Sequence, residues 1–254
     1  SLMDIRRRIV YFLDKHPSIG YFVRSTWRFL LYVRAWVWRL KIKVRSYKID
    51  LDVNKLYWVS PERIQYCAQG IFNIWKDRGK IVGGEWDRLD QKFEDTDVYR
   101  AFKQRFIDGK DWQETDFYQR VLNQIISGKR KWSCRTKADF ERRLKGIDLL
   151  YKKIKDEGYV PNVEIFFGKD FHTLRSREDE IAVDIGRHGD LLFSNGRHRL
   201  CIAKLLKIPK IPIKIVLRHS RWMEFRKEVV AYAKEHGGSL YQPITHPDLS
   251  DVPS

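Results

Sequence analysis

The chain has 254 residues, of which 50 are Lys or Arg and 33 are Asp or Glu, so its formal net charge is +17. This length can hold one large domain or two small ones with a hydrophobic core. The three cysteines, Cys67, Cys134 and Cys201, are far apart and odd in number, which argues against a disulfide framework or a zinc knuckle and favours a reducing, cytoplasmic location.

Most of the net positive charge lies in the first 48 residues, which contain twelve Lys or Arg and two acidic residues, a net charge of +10. Aromatic and aliphatic residues between Ile19 and Leu40 recur on one helical face and arginines on the other, which predicts a basic amphipathic helix. Such an arm could pack on protein, lie on an anionic membrane through residues 19–45, or bind nucleic acid. Its charges argue against a spanning helix and a cleavable signal peptide.

The next elements are a short strand and a long, charged stretch. Lys55–Val59 predicts a strand, followed by a turn or helix start at Ser60-Pro61. Residues 66–132 have a mostly helical pattern. Within it, Glu85 and Asp87 flank a tryptophan after two glycines, so they could supply catalytic carboxylates on a substrate lid, with helix capping or solvation as the alternative.

The last third of the chain alternates helices and strands. Thr136 with Asp139 three residues later predicts the start of a helix that ends at Gly158. The predicted elements that follow are strands at 163–167 and 180–185, a strand from Leu191, a helix after Gly196, a strand at 211–217, a helix at 223–235 and an irregular tail after Gly237.

The turn Asn195-Gly196 joins a predicted strand to a predicted helix, which places Arg197, His198 and Arg199 at a helix N-terminus. Free backbone N–H groups and the positive end of the helix dipole favour an anion there, and two arginines and a histidine point to phosphate. The alternative is an ordinary Asn-Gly turn without a ligand, with His198 in a structural role.

This order of elements, with the run Gly196-Arg-His-Arg199, resembles the ParB/sulfiredoxin superfamily over about 80 residues, from Lys137 to Leu217, and weakly over Leu56–Ile64. The resemblance implies an α/β fold with a small mixed sheet and flanking helices. The expected organisation is an N-terminal helical arm (1–48), a first strand and turn (49–65), a helical insertion (66–135), the ParB/sulfiredoxin-like core (136–236) and an irregular tail (237–254).

Departures from the superfamily's patterns narrow the expected chemistry. Arg197 stands where sulfiredoxins have their catalytic cysteine, so sulfinic-acid reduction is not expected. No second arginine-rich box or helix-turn-helix follows Leu217, which argues against a CTP-gated DNA clamp. The turn is most similar to the Asp-Gly-His-His-Arg run of free serine kinases, although Asn195 replaces the Asp and no acid lies near 65–68. That similarity implies ATP, Mg²⁺ and phosphoryl transfer to a small polar acceptor.

These considerations give a set of candidate site residues. Those expected to bind the nucleotide are Ser194, Asn195, Gly196, Arg197, His198 and Arg199, and those expected to act in catalysis are His198, Glu85, Asp87 and Asp184. No histidine spacing matches a zinc motif, so Mg²⁺ is expected to be held mainly by the nucleotide phosphates. The alternative function is a nucleic-acid-binding protein or a ParB-like nuclease that uses the basic arm.

Overall fold

A computed structural model describes residues 55–70, 77–129, 132, 134–161, 180–237 and 245–252. Residues 56–161 and 180–254 form one compact unit. It is a mixed α/β structure built on a six-stranded sheet. This confirms the predicted α/β class and mixed sheet. The predicted amphipathic helix at 19–40 and strand at 163–167 lie outside the described residues.

The strands run both parallel and antiparallel. They are β1 (Tyr57–Val59), β2 (Tyr66–Cys67), β3 (Ile81–Val82), β4 (Ile181–Ile185), β5 (Leu191–Asn195) and β6 (Ile211–His219). Their spatial order is β1-β6-β4-β5-β2, and β3 pairs with the end of β6 beyond β1. The β4–β5 and β1–β6 pairs are antiparallel, whereas β4–β6, β2–β5 and β3–β6 are parallel.

The central strand β6 is buried along its whole length. All nine of its residues are buried, including the charged Lys214 and Arg218. Strands covered on both faces lose the alternation of apolar and polar residues, and here Val216 and Leu217 both join one apolar cluster with Leu192 and Trp86. The predicted strand at 211–217 therefore exists and extends two residues further.

Five α-helices accompany the sheet among the described residues. They are α1 (Asp97–Phe106), α2 (Asp116–Ile126), α3 (Lys137–Glu157), α4 (Arg197–Leu205) and α5 (Ser220–Glu235). Thr136 and Asp139 form the predicted capping box of α3, which ends at Gly158 in a left-handed conformation. Helix α5 begins three residues before the predicted Met223, because His219 caps it by accepting a hydrogen bond from the Arg221 N–H.

The predicted helical insertion at 66–135 is only partly helical. Its first residues form β2 beside β5, and Ile81–Val82 form β3 beside β6. The described helices of this region begin at Asp97. Two-residue strands are held by their neighbours in the sheet, so no period-2 pattern marks them in the sequence.

The C-terminal segment has a short 3-10 helix at Pro247–Leu249 and is anchored to the body by a buried ion pair. Arg218 Nε donates to both carboxylate oxygens of Asp248 at 3.0 Å, and Trp222 Nε1 donates to the same carboxylate at 2.9 Å. Part of the predicted irregular tail is thus a fixed part of the fold. Within the described ranges, no helix combines the length and the apolar character that crossing a membrane requires.

Candidate functional site

The predicted strand–turn–helix at Asn195–Arg197 is present. Strand β5 ends at Asn195, Gly196 has a left-handed φ of 88°, and α4 begins at Arg197. No side chain caps the helix, and its first turn contains no acidic residue. The N-cap is a glycine without a side chain, so among the described residues no side chain caps the first N–H groups of α4, which are the groups that an anion-binding helix end uses.

Gly196 is required by the packing of the turn as well as by its φ angle. A Cβ atom at this position would lie 2.8 Å from the Cα atom of Ile181, the first residue of β4. The glycine therefore lets β5 turn into α4 directly against the neighbouring strand. This requirement exists with or without a ligand.

Arg197 is half-buried at the start of α4. Its Cζ atom lies 5.4 Å from the ring centroid of Phe193, and no carboxylate of the described residues forms an ion pair with it. Burial raises the pKa values of Cys67 and Cys201, and the positive charge of Arg197 partly offsets this increase. Arg197 is thus a cation close to the sheet with no counter-ion among the residues that the structure describes.

His198 packs against aromatic rings on the other side of the turn. Its ring is stacked on Phe102 at 5.8 Å between centroids and is tilted against Trp132 at 4.6 Å. Burial, with a smaller effect of the nearby charges of Arg143 and Arg197, lowers the pKa of His198 to about 3. The imidazole is neutral near pH 7, so this environment favours a hydrogen-bonding role over the predicted acid–base role.

Arg199 is directed into the protein. Its Nη1 atom lies 3.7 Å from Glu180 Oε2, its Nη2 group donates to the Val160 carbonyl, and its Cζ atom lies 4.3 Å from the Tyr159 ring centroid. The side chain is buried. These contacts make Arg199 a structural link, whereas the sequence predicted a phosphate contact.

Asp184 is the predicted catalytic carboxylate that the described contacts connect to the turn. It lies on β4 opposite Leu192, is 2% exposed, and accepts hydrogen bonds from the Ser194 hydroxyl and the Leu217 N–H. Burial raises its pKa to about 7, against the lowering effect of these hydrogen bonds. Its Oδ1 atom has no hydrogen-bond partner in the described part of the chain. Asp184 and Ser194 are thus neighbours on the sheet, on the face of β5 opposite Phe193, and only Ser194 is close in sequence to the turn.

Glu85 and Asp87 lie elsewhere, where they contact the turn that joins β4 to β5. Arg187 donates from its backbone N–H to Asp87 Oδ2 at 2.6 Å and from Nη2 to Glu85 Oε2 at 3.0 Å. Burial disfavours the charged form of Asp87, but the hydrogen bonds with Arg187 outweigh it and hold the pKa at about 2. Because β5 runs about 13 Å from this turn to Asn195, the two carboxylates are not brought to the predicted phosphate site.

Two residues near the turn, Arg143 and Trp132, could not be identified from the sequence motif of the turn. Arg143, an exposed residue of α3, lies with its Cζ atom 5.7 Å from the Trp132 ring centroid, and Trp132 contacts His198. The helical pattern of α3 predicts that Arg143 is on the solvent side, but only the packing of α3 against α4 brings it to the turn.

The expected Mg²⁺ needs oxygen donors, either from the protein or from a nucleotide. No group of three or more His, Cys, Asp or Glu side chains within the described ranges is arranged to hold a metal ion. The three cysteines are buried thiols. Mg²⁺ held mainly by nucleotide phosphates stays a prediction from the sequence.

Comparison with known protein families, curated proteins and solved structures gives no significant match to the chain. The basic arm at 1–48, on which the nucleic-acid and membrane alternatives depend, lies outside the described residues, and these alternatives stay predictions.

Proposed function

We propose that this chain is a ParB/sulfiredoxin-like domain that binds a nucleoside triphosphate, with its phosphates at the turn that begins at Gly196. The observation that carries the proposal is the start of α4, which has no capping side chain and has Arg197 beside it without an acidic partner among the described residues. The element order β4, β5, turn, α4, β6 supports the superfamily resemblance.

The electrostatics of this helix start suit a phosphate group. The N-terminus of a helix carries a partial positive charge, and a cation placed there is unfavourable until an anion binds. Arg197 adds a guanidinium that can form two parallel hydrogen bonds to phosphate oxygens. His198, neutral near pH 7, can contribute one further N–H donor. ATP with Mg²⁺ fits this donor set, since the protein offers cations and N–H groups and the phosphates offer the oxygens that Mg²⁺ prefers.

The proposed reaction is phosphoryl transfer to the hydroxyl group of a small polar acceptor. Bound ATP with Mg²⁺ supplies the phosphoryl group, and ADP leaves. Ser194, half-buried next to the turn, donates its hydroxyl proton to Asp184 and takes the proton that the acceptor hydroxyl releases when its oxygen bonds to phosphorus, so the buried Asp184 is the final acceptor of that proton. A pKa of about 7 leaves much of Asp184 ionised at neutral pH, so it can accept this proton.

The binding step can be tested by thermal unfolding and calorimetry with Mg²⁺-ATP. We expect wild-type protein to be stabilised by the nucleotide and Arg197→Ala to bind it at least about tenfold more weakly, because one charge-assisted contact is lost. The control is Lys210→Ala, which removes an equal charge from an exposed position beyond the other end of α4. Absence of stabilisation of the wild type by any nucleoside triphosphate with Mg²⁺ would contradict the proposal.

A further inference from the structure

Arg143 reaches the start of α4 from a different element. It is on α3, which packs against α4, and its guanidinium lies over the Trp132 ring, which is in turn 4.6 Å from the His198 ring. Its charge is among the causes that lower the pKa of His198, as is that of Arg197. Arg143 reaches His198 through the Trp132 ring, and Arg197 is its neighbour in the chain, so both charges act on one imidazole.

Neither arginine has an acidic partner within the described ranges, unlike several other arginines of this protein. No carboxylate in the described parts of the chain forms an ion pair with Arg143 or with Arg197. The residue before Arg143 provides a contrast, because Arg142 is paired with Asp139 at 3.6 Å on the surface of α3. Like charges that act on one site without a counter-ion are unfavourable, and an anion bound near both would relieve this.

We infer that Arg143 and Arg197 form a two-point site in which each binds a different phosphate group of one polyphosphate chain. This inference rests on the proposed function and adds a phosphate-binding residue, Arg143, from outside the turn motif. A single phosphate has two or three charged oxygens at one centre, whereas a triphosphate spreads its charge over three centres and can reach both guanidinium groups. The site therefore selects a nucleoside triphosphate over a monophosphate.

The inference can be tested by calorimetry with inorganic tripolyphosphate, pyrophosphate and phosphate as probes. Wild-type protein is expected to bind tripolyphosphate at least about tenfold more tightly than phosphate. Arg143→Ala should lose about tenfold in tripolyphosphate affinity and much less in phosphate affinity. Arg142→Ala, the adjacent exposed arginine, should bind all three probes as the wild type does.

The variants also separate this inference from the proposed function. If the wild type binds Mg²⁺-ATP and Arg197→Ala weakens it, but Arg143→Ala binds tripolyphosphate as tightly as Arg142→Ala, the two-point site is wrong and the proposed function stands. If no nucleoside triphosphate stabilises the wild type, the proposed function fails as well. Tripolyphosphate that binds no more tightly than phosphate overturns the two-point site directly.

A second measurement checks the position of Arg143 without any ligand. The pKa of His198, followed by NMR of its imidazole, should rise in Arg143→Ala because one of the two charges that lower it is gone. The same variant should keep the unfolding temperature of the wild type, since Arg143 is exposed. An unchanged His198 pKa in a folded Arg143→Ala protein would show that Arg143 is not at this site.

Discussion

The two ends of the β4–β5 hairpin use arginine in opposite ways. At the connecting turn, Arg187 is bound by Glu85 and Asp87, and the turn carbonyl of Gly189 contacts His246 next to the buried Arg218–Asp248 pair. At the other end, Arg197 has no acidic partner in the described residues. Arginine with an internal counter-ion stabilises the fold, whereas arginine without one is available to a ligand.

The largest effect is expected at the buried Arg218–Asp248 pair, near the turn that connects β4 to β5. Asp248→Asn should lower the free energy of unfolding by about 3–5 kcal/mol, because it leaves Arg218 buried without its counter-ion. Urea denaturation provides the measurement. Glu157→Gln, which removes a carboxylate from an exposed pair with Lys153, is the control and should cost less than about 0.5 kcal/mol. Equal losses in the two variants would remove the contrast between buried and exposed pairs.

A smaller effect with a defined pH dependence is expected for Asp184. Its folded pKa of about 7 exceeds the value of about 4 in an unfolded chain, so the folded protein holds an extra proton between these pH values. The stabilising contribution is complete below about pH 4 and is lost as the pH rises through 7. Asp184→Asn should thus be more stable than the wild type by on the order of 2 kcal/mol at pH 8, and the gain should vanish towards pH 4.

Urea denaturation at a series of pH values measures this difference. A gain that stays constant from pH 4 to pH 8 would show that Asp184 has an ordinary pKa, and it would also weaken its proposed role as a proton acceptor.

The smallest effect is expected in the absence of ligand at Arg197, at the other end of the hairpin. Arg197→Gln should change the free energy of unfolding by less than about 0.5 kcal/mol in a chloride buffer without phosphate, because no ion pair is lost. Arg187→Gln is the matched variant, and it should cost about 2 kcal/mol since it leaves the buried Asp87 without its main partner. Chemical denaturation of both variants measures the two changes. A similar loss in the free energy of unfolding would mean that Arg197 also stabilises the fold.

Local signals in the sequence predicted much of the fold around the turn. The capping box at Thr136 and Asp139, the C-terminal Gly158 and the bend at Asn195-Gly196 each act through neighbouring backbone groups, so their effect is visible in a few residues. Strands β2 and β3 were missed because two residues cannot display a period.

The role of each charged residue depended on contacts that are distant in sequence. Arg199 appeared suited to phosphate, but its guanidinium is buried against Tyr159 and Glu180, which are about 40 and 19 residues away along the chain. Asp87 meets Arg187 across about 100 residues. Arg143 lies at the turn only because two helices pack. Sequence patterns report residue type and local spacing, and neither determines which opposite charge a side chain meets.

Arg199 ties the start of α4 to two separate parts of the chain. Its guanidinium contacts Tyr159 and Val160, which follow α3, and Glu180, which precedes β4. One side chain therefore holds both positions against α4, and its removal would release the end of α3 and the start of β4 together. A substitution at this one position of the turn motif would thus disturb three elements at once.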